Sequence, residues 1–549
     1  MTVLGIGAYF HDSAAALVAE GRIVAAVQEE RFSRRKHDPD LPVQAIAHCL
    51  EAGDVAPGDL EAVVFYERPL TTFVRILRTQ FVAGPRGWRS FQEAMPQWAK
   101  HKLWVGYEID RALRRLGHRV PGRVQYLDHH LSHAASAFYP SPFETAAVLT
   151  FDGVGEWATA SIGVGRGSEV ALRQQLDFPD SIGLLYSAFT SYCGFRVNSG
   201  EYKLMGLAPY GEPRFVDDIV GEVVDLRDDG SIRLDQRYFD FVSGRSMTSA
   251  RFHERFGGPP RIPESELDQR HCDLAASIQE VTERIVLRMA RTAAALTGER
   301  RACLAGGVAL NCVANARLLA EGPFDEIWVQ PAAGDAGGAL GAASYGWHQI
   351  LGHVRTPSPG DAMQGALLGP SYDDGSIGRW LDEQGAPAER LGTSDRARAI
   401  ARLLADGATV GVLQGRAEFG PRSLGNRSIL ADPRDQDIQR RLNLQVKQRE
   451  SFRPFAPAVL ASEADRWFDV DGGDLPYMLV TAPVARRASV ILALAPLRSA
   501  SGRTRCAARS RESPTWTGRP ACRPWTKRGR RCCTRSCRSS TRSPAVRCS

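Results

Sequence analysis

Short apolar runs, broken by polar turns that contain glycine, open the chain. The pattern predicts three strands, at residues 3–10, 14–19 and 22–28. Glu20-Gly21 is typical of a hairpin turn between the last two strands. Residues 145–166 repeat this order, with an apolar strand, a turn at Asp152-Gly153 and a second strand from Ala158. Because a strand, a turn with an acid and a further strand occur twice, we expect an internally duplicated α/β fold.

Helical periodicity fills most of the sequence between and after these units. It dominates to about residue 118, across an aromatic-rich stretch at 88–107, and it returns in a long amphipathic helix from Asp268 to Leu296. Glycines at 306–307 and 337–338 mark two strand-to-helix turns, whose backbone can approach a ligand closely. The two strand–turn–strand units, at the start of the chain and at 145–166, are similar to the phosphate-binding hairpins of the actin and sugar-kinase fold.

Composition divides the 549-residue chain, which is too long for a single hydrophobic core. A connector rich in proline and glycine at 356–370 separates residues 1–355 from a second domain at 371–484. In the second domain we expect a helix at 394–405 and a strand at 409–414. Residues 485–549 form a tail rich in Arg, Ser and Cys. For this tail we expect either disorder or a shifted reading frame.

The net charge of +7 arises at the end of the chain. Residues 498–549 hold 14 Arg and one Lys against one acid, whereas the preceding residues hold 54 basic and 61 acidic ones. The mildly acidic body therefore lacks the basic surface that is typical of nucleic-acid binding. The first 497 residues contain five scattered cysteines, no basic apolar leader and no apolar run of membrane-spanning length. We therefore expect a cytoplasmic protein that does not insert into membranes.

Two histidines at helical spacing are the first candidates for chemistry. His129 and His133 lie four residues apart, so that on one face of a helix their ring nitrogens can ligate the same ion. Acidic turns at Asp152 and Asp335 can complete a site with nitrogen and oxygen ligands. The alternative is a helix with surface histidines, which the spacing alone does not exclude.

Cations among glycines, prolines and aromatic residues in the second domain are further candidates. Guanidinium groups in this setting suit a small phosphorylated anion. The cations are Arg416, Arg422, Arg427, Lys447, Arg449 and Arg453. In the first domain, Glu201 and Lys203 lie in a glycine-bounded segment that we expect to be a loop, where they are either functional or a surface ion pair.

Six motifs, in order along residues 2 to about 484, together resemble the O-carbamoyltransferases of natural-product biosynthesis. They are FHDS at 10–13, HHLSHA at 129–134, GEYKLMGLA at 200–208, GGVALN at 306–311, GPRSLGNRS at 420–428 and FRPFAP at 452–457. This family acts on nodulation factors, cephems, aminoglycosides and ansamycins. The resemblance implies an actin-like, duplicated N-terminal domain. It also implies a smaller α/β C-terminal domain similar to threonylcarbamoyl-adenylate synthase.

The activity that the resemblance implies is ATP-dependent O-carbamoyl transfer. Carbamoyl phosphate and ATP, with Mg²⁺, would give carbamoyl-adenylate in the smaller domain. The N-terminal domain would pass the carbamoyl group to a hydroxyl of a small-molecule secondary metabolite. By the same resemblance, His129, His133, Asp152 and Asp335 would hold Fe(II) or another divalent metal, which can act as a Lewis acid.

The remaining roles follow from the same resemblance. His11 would be the base that takes the proton of the acceptor hydroxyl, and Lys203 a second catalytic residue, although packing of His11 in the core is an alternative. Two groups would bind the nucleotide and the phosphates. They are Gly153, Gly155, Gly307 and Asn311 for the nucleotide, and Lys447, Arg449, Arg453, Arg422 and Arg427 for carbamoyl phosphate and the ATP phosphates.

The C-terminus departs from the family pattern. After residue 484 no motif of the Asn-Thr-Ser-Phe-Asn type follows, so we expect an incomplete adenylate-forming site. Three alternatives remain open: an enzyme like the tRNA threonylcarbamoyl transferases, a small-molecule kinase, and a catalytically impaired nucleotide-binding homologue. Residues 88–107 and 212–265 are candidates for shaping the acceptor pocket. The sequence does not identify the acceptor, and it leaves a homodimer open.

Overall fold

The computed structural model describes residues 1–242, 244–470, 475–485 and 523–525. The chain divides into two units, residues 1–369 with 419–421 (unit 1) and residues 370–418 with 422 onward (unit 2). The predicted tail, apart from residues 485 and 523–525, lies outside the described residues. In the described part of the chain, no helix combines the length and apolarity that crossing a bilayer requires.

The first half of unit 1 is built on five strands. They are β1 (Thr2–Gly7), β2 (Ala14–Ala19), β3 (Arg22–Gln28), β4 (Leu60–Phe65) and β5 (Gln125–Tyr126). In the order β3-β2-β1-β4-β5, the first three are antiparallel neighbours, and β4 and β5 run parallel to β1. The helices are α1 (Glu30–Ser33), α2 (Val43–Ala52), α3 (Pro69–Ala83), α4 (Trp88–Lys100), α5 (Val105–Arg115) and α6 (His129–Phe138).

Strand β4 corrects the sequence-based prediction, which has helical periodicity throughout this region. All but one of its residues are buried, so it shows no alternation of apolar and polar positions. A short apolar run of this kind cannot be told from a buried helix by periodicity alone. Its pairing with β1 decides its conformation.

The second half of unit 1 repeats this topology. Its strands are β6 (Thr145–Phe151), β7 (Ala158–Arg166), β8 (Glu169–Asp177), β9 (Val224–Leu226), β10 (Ile232–Leu234), β11 (Arg301–Ala305) and β12 (Glu326–Val329). In the order β12-β11-β6-β7-β8, each strand takes the place of a first-half counterpart, and β9 and β10 form a separate pair. As in the first sheet, β11 and β12 run parallel to β6. The predicted duplication of an actin-like α/β fold is therefore confirmed.

Helices of the second half cover its sheet and complete the repeat. They are α7 (Ile182–Tyr192), α8 (Glu201–Leu207), α9 (Val216–Asp218), α10 (Ala250–Arg255), α11 (Gln269–Thr297), α12 (Cys312–Glu321) and α13 (Asp335–Tyr345). Helix α8 replaces the loop that the sequence predicts around Lys203. Its buried Leu204, Gly206 and Leu207 pack inward, which stabilises helix over loop.

Helices α6 and α13 are counterparts, since each follows the last strand of its half, and they pack against each other. Their facing surfaces consist largely of alanine, glycine and serine. A Cβ on Gly341 would overlap the backbone carbonyl of Ser132, and one on Gly338 would overlap the ring of Tyr66. Because these glycines allow close approach of the backbones, the N-terminal ends of α6 and α13 come together.

Unit 2 contains short helices and strands. They are α14 (Asp374–Gln384), α15 (Thr393–Ala405), β13 (Val410–Leu413), β14 (Arg427–Leu430), α16 (Ile438–Arg441), β15 (Ala458–Leu460), α17 (Ala464–Trp467) and β16 (Arg523–Trp525). The pair β13–β14 is antiparallel and the pair β15–β16 is parallel. A small core forms around Val459, Phe468 and Ala482. The helix and strand predicted at 394–405 and 409–414 are present as α15 and β13.

Candidate functional site

Equivalent segments of the two halves of unit 1 supply the candidate site. The turn after β6 carries Asp152, and the corresponding turn after β1 carries His11. Helix α6 carries His129 in its first position and His133 one turn later, and its counterpart α13 begins with Asp335. The duplication therefore brings together side chains that are far apart in the sequence.

His129, His133, Asp152 and Asp335 (the His/Asp cluster) are all buried, and one ligand atom from each lies within 4.8 Å of the other three. Nε2 of His129 lies 3.0 Å from Nε2 of His133 and 3.1 Å from Oδ2 of Asp152. Oδ1 of Asp335 lies 3.8 Å from both Nε2 atoms. Ligand atoms about 2.1 Å from one ion would be about 3.0–3.4 Å apart. The cluster is therefore close to the size of a metal site.

The chemistry of the donor set also fits a divalent cation. Imidazole nitrogens and carboxylate oxygens are the ligands that zinc and iron share. Oδ2 of Asp335 is buried and has no hydrogen bond from any described residue, which is costly for a carboxylate. Two facing Nε2 atoms 3.0 Å apart also need a proton or a cation between them. A bound cation would satisfy both the Asp335 carboxylate and the paired Nε2 atoms.

The electrostatics of the cluster point the same way. Burial lowers the pKa of His129, but the carboxylates of Asp152 and Asp335 outweigh it and raise the pKa to about 9. Burial alone would raise the pKa of Asp152, yet His129 and His133 hold it well below its usual range. Burial raises the pKa of Asp335. The carboxylates thus create a strongly negative environment that favours a positive charge.

His11 lies beside this cluster, with Nε2 3.8 Å from Oδ2 of Asp335. Its Nδ1 lies 3.1 Å from Oδ2 of Asp12, whose Oδ1 is 2.8 Å from Nδ1 of His37. Burial lowers the pKa of His11, but Asp335 and Asp12 outweigh it and raise the pKa to about 9. The side chain is partly exposed, so the alternative of a histidine packed in the core does not describe its position.

Asp12, His37 and Glu156 were not predicted from the sequence, although each contacts the site. Asp12 binds Nδ1 of His11, and His37 binds the other carboxylate oxygen of Asp12. The buried carboxylate of Glu156 accepts hydrogen bonds from the backbone N–H groups of His129 and Arg68, at 3.1 and 2.8 Å. Burial raises the pKa of Glu156. A signal for Asp12 was available in the FHDS motif, whereas Glu156 has no sequence signal beyond its position four residues after Asp152.

Of the residues predicted to contact the nucleotide, Gly155 and Gly307 lie next to members of the His/Asp cluster, and Asn311 lies at the start of α12. The N–H of Gly307 donates to Oδ1 of Asp152 at 3.1 Å, and a Cβ on Gly155 would press against His129. A Cβ on Gly153 would meet nothing within 4 Å. Asn311 caps α12 through the N–H of Ala314 and exchanges two hydrogen bonds with Gln279. Gly307 and Asn311 therefore have structural partners, and their predicted roles stay predictions.

Lys203 and the predicted phosphate-binding cations have varied environments. The ammonium of Lys203, on α8, lies 5.8 Å from the ring centre of Phe195. In unit 2, burial and the charge of Arg449 lower the pKa of Lys447. The guanidinium of Arg449 donates to Asn443 at 2.6 Å and lies over Phe455.

Arg453 and Arg427 contact other groups of unit 2. Nη1 of Arg453 lies 3.7 Å from the carboxylate of Glu450. Arg427 donates to the backbone carbonyls of residues 370, 414, 415 and 426. It therefore ties chain segments together. Arg422 lies in the 420–428 motif, and its predicted role stays a prediction.

Comparisons with known proteins address the family to which the chain belongs. Two family models match the chain, Carbamoyltransferase N-terminus at residues 2–344 and Carbamoyltransferase C-terminus at residues 401–515. The second match extends past residue 484, where the sequence-based prediction placed the departure from the family. An uncharacterized protein of Synechocystis is 52% identical over 487 residues, which are 88% of this chain and 79% of that protein.

Two further comparisons are more distant. Nodulation protein NolNO of Sinorhizobium fredii is 38% identical over 485 residues, 87% of this chain and 66% of the relative. The solved structure of T. kodakarensis HypF aligns with 64% of this chain and 48% of its own, at 12% identity and a TM-score of 0.33, a likeness too weak to bear on function. The match of the Carbamoyltransferase N-terminus model to residues 2–344, more than half of the chain, shows that the chain belongs to the carbamoyltransferase family.

Proposed function

We propose that this carbamoyltransferase uses ATP to convert carbamoyl phosphate to carbamoyl-adenylate and moves the carbamoyl group to a hydroxyl of a small-molecule acceptor. The main support is one geometric observation in a chain of this family. His11 lies within 3.8 Å of a buried His/Asp cluster, so a candidate base and a candidate cation site are adjacent.

The His/Asp cluster would hold Fe(II) or another divalent metal. Such an ion would neutralise the carboxylates that raise the pKa of His11. The same ion would act as a Lewis acid that polarises the carbamoyl carbonyl. Glycines 153 and 155, in the turn beside the cluster, would lie against the adenylate, and a Cβ at Gly153 would occupy open space there. In this arrangement the chain itself orients the carbamoyl carbon next to His11.

The transfer step would use His11 as general base. The acceptor oxygen forms a bond to the carbamoyl carbon, the bond from that carbon to the AMP oxygen breaks, and AMP leaves. The hydroxyl proton passes to Nε2 of His11. Asp12 accepts the Nδ1–H of the same ring, so the tautomer with a free Nε2 is the one that the contact favours.

We assign formation of the adenylate to residues 371–484, which lie in unit 2 except for 419–421, and transfer to residues 1–355. Lys447, Arg449 and Arg453 would bind the phosphates. Burial and Arg449 lower the pKa of Lys447, and a bound phosphate would relieve that repulsion between cations. Arg422 and Arg427 are weaker candidates. The guanidinium of Arg427 already donates to backbone carbonyls.

The test is product analysis by mass spectrometry with ATP, carbamoyl phosphate and a panel of hydroxylated metabolites. We expect AMP, pyrophosphate, inorganic phosphate from carbamoyl phosphate and a carbamoylated acceptor, with pyrophosphate release only when carbamoyl phosphate is present. Asp335→Asn should abolish transfer, while Asp325→Asn, an exposed carboxylate paired with Arg300, should not. ADP as the nucleotide product would instead indicate a kinase. A lack of pyrophosphate release would indicate an impaired homologue.

A further inference from the structure

A cavity of about 520 Å³ lies in unit 1 beside the turn that carries His11. This volume is in the range of small-molecule sites. Its walls come from the β1–β2 turn, from residues 40–43, and from α4 and α5. The lining residues are Tyr9, Asp40, Leu41, Val43, Pro96, Lys100, His101, Glu108, Arg111, Ala112 and Arg115.

The cavity wall and the turn that carries His11 are joined by direct contacts. The rings of Tyr9 and His101 stack with their centres 5.6 Å apart, and the Tyr9 hydroxyl donates to Glu108. The buried ammonium of Lys102 pairs with Glu67 at 3.1 Å and lies 5.8 Å from the ring centre of Phe10. Tyr9 and His11 are two residues apart, so their Cα atoms are separated by at most about 7 Å. The cavity therefore lies beside the turn that carries the candidate base.

One face of α5 gives the cavity its charge. Glu108, Arg111 and Arg115 follow one another at intervals of three and four residues, so they form a single stripe, and Ala112 lies beside them in the cavity wall. Lys100 adds a third cation from the end of α4. All three cationic side chains are exposed, and none forms an ion pair or hydrogen bond with another side chain among the described residues.

The two carboxylates of the cavity, by contrast, already have partners. Glu108 accepts from Tyr9 and lies 3.0 Å from Nδ1 of His101. Asp40 accepts from Arg35 at 2.6 Å. The walls thus carry three cations against two carboxylates, one of which is already paired with Arg35, and this positive balance favours an anion and disfavours a polycation.

We propose that this cavity binds the acceptor, and that the acceptor is a hydroxylated molecule with an anionic group, of the class of sugar acids or sugar phosphates. This inference rests on the proposed function for the carbamoylation of the bound hydroxyl. The carboxylate or phosphate pairs with Arg111, Arg115 and Lys100. Hydroxyl groups of the same molecule donate to Glu108 and Asp40, and one of them extends toward His11.

The test is calorimetric binding of glucuronate, glucose 6-phosphate, glucose and glucosamine to the full-length protein at low salt. We expect the anionic sugars to bind about tenfold or more tightly than glucose and glucosamine, and to weaken with added salt. The double variant Arg111→Gln/Arg115→Gln should weaken the anionic sugars by about tenfold or more. Arg114→Gln, on the same helix but paired with Asp110, should change their affinity by less than about twofold.

The inference is overturned if glucose or glucosamine binds as tightly as the anionic sugars, if neither anionic sugar binds, or if the double variant binds them unchanged. Tight binding of glucuronate alone, or of glucose 6-phosphate alone, would show whether the anionic group is a carboxylate or a phosphate, and would support the inference. Pyrophosphate release that depends on carbamoyl phosphate, measured without any acceptor, tests the proposed function separately. Failure of that reaction with intact anion binding would contradict the proposed function alone.

Discussion

At the scale of single residues, partners of the candidate ligands and base determine what those groups can do. His11 can accept a proton at Nε2 only if its other nitrogen carries one, and Asp12 is placed to bind that N–H. Asp12 is held in turn by Nδ1 of His37 at 2.8 Å. Asp335 and Asp12 together raise the pKa of His11, and His11 and His37 together lower the pKa of Asp12. Asp12 is thus a candidate positioning residue.

We predict that Asp12→Asn lowers kcat by about 10–100-fold, the range for lost partners of functional histidines. The amide can donate to Nδ1 of His11, which favours the wrong tautomer. Steady-state kinetics should show little change in KM for the acceptor, and elemental analysis should show unchanged metal content. Asp325→Asn serves as the exposed control. Loss of metal in Asp12→Asn, or an unchanged kcat, would contradict the positioning role.

At the scale of elements, the ends of two helices form the site. The first N–H groups of α6 have no partner within the helix, and the side chain of Asp128 does not cap them. Glu156, from the turn after β6, accepts from the first of these groups. Close packing of α6 on α13 then places Asp335 against both histidines. The site therefore depends on helix packing as much as on its own side chains.

We predict that Glu156→Ala loosens the start of α6. The substitution leaves the buried N–H group of His129 without its acceptor, which costs about 1–3 kcal/mol. Hydrogen exchange should therefore speed up in the first turn of α6. Glu61→Ala, at an exposed position of β4, should leave that exchange unchanged. Equal exchange in both variants would show that Glu156 does not hold the helix.

A second element-scale prediction concerns the contact between α6 and α13. Gly341→Ala places a methyl group on the carbonyl of Ser132, which is backbone and cannot rotate away. Overpacking of this kind costs about 1–3 kcal/mol, so the melting temperature of the variant should fall and its metal affinity should weaken. Gly378→Ala, in α14 with open space around it, should be neutral or slightly stabilising. A Gly341→Ala variant with unchanged melting temperature and metal affinity would contradict this packing.

At the scale of the whole molecule, duplication explains why one site gathers residues from positions 11 to 335. Each half contributes a turn after its first strand and the N-terminal end of its last helix. A cation bound there would link both halves of unit 1. Ion binding and the stability of the unit are therefore coupled.

We predict that metal-free protein gains thermal stability when a divalent ion is added. At a free ion concentration 100 times Kd, the gain is about 2.7 kcal/mol. Scanning calorimetry with increasing Fe²⁺, Zn²⁺ or Mn²⁺ measures the shift in melting temperature and identifies the preferred ion. Asp335→Asn should remove the shift and Asp325→Asn should retain it. No shift with any of the three ions would contradict the metal site.

The local pattern of the sequence determined the hairpins β1–β3 and β6–β7, the helix with His129 and His133, and the repeat that relates the halves. These features depend on neighbours within a few residues, where periodicity and turn residues carry the information. Asp152 and Asp335 could be predicted as ligands for the same reason, since Asp152 follows the end of an apolar strand and Asp335 follows Gly334 in a turn.

Only the tertiary structure decided which of these residues meet, and why. The 3.8 Å contact of His11 with Asp335 joins positions 324 residues apart, and its geometry depends on β1 and α13 packing together. The roles of Glu156 and His37, the strand β4 and the helix α8 have the same origin. Each is fixed by contacts or burial that no local pattern encodes. In the sequence, the charged stripe of α5 is typical of a solvated helix face. It forms a cavity wall only because the β1–β2 turn lies opposite it in the folded chain.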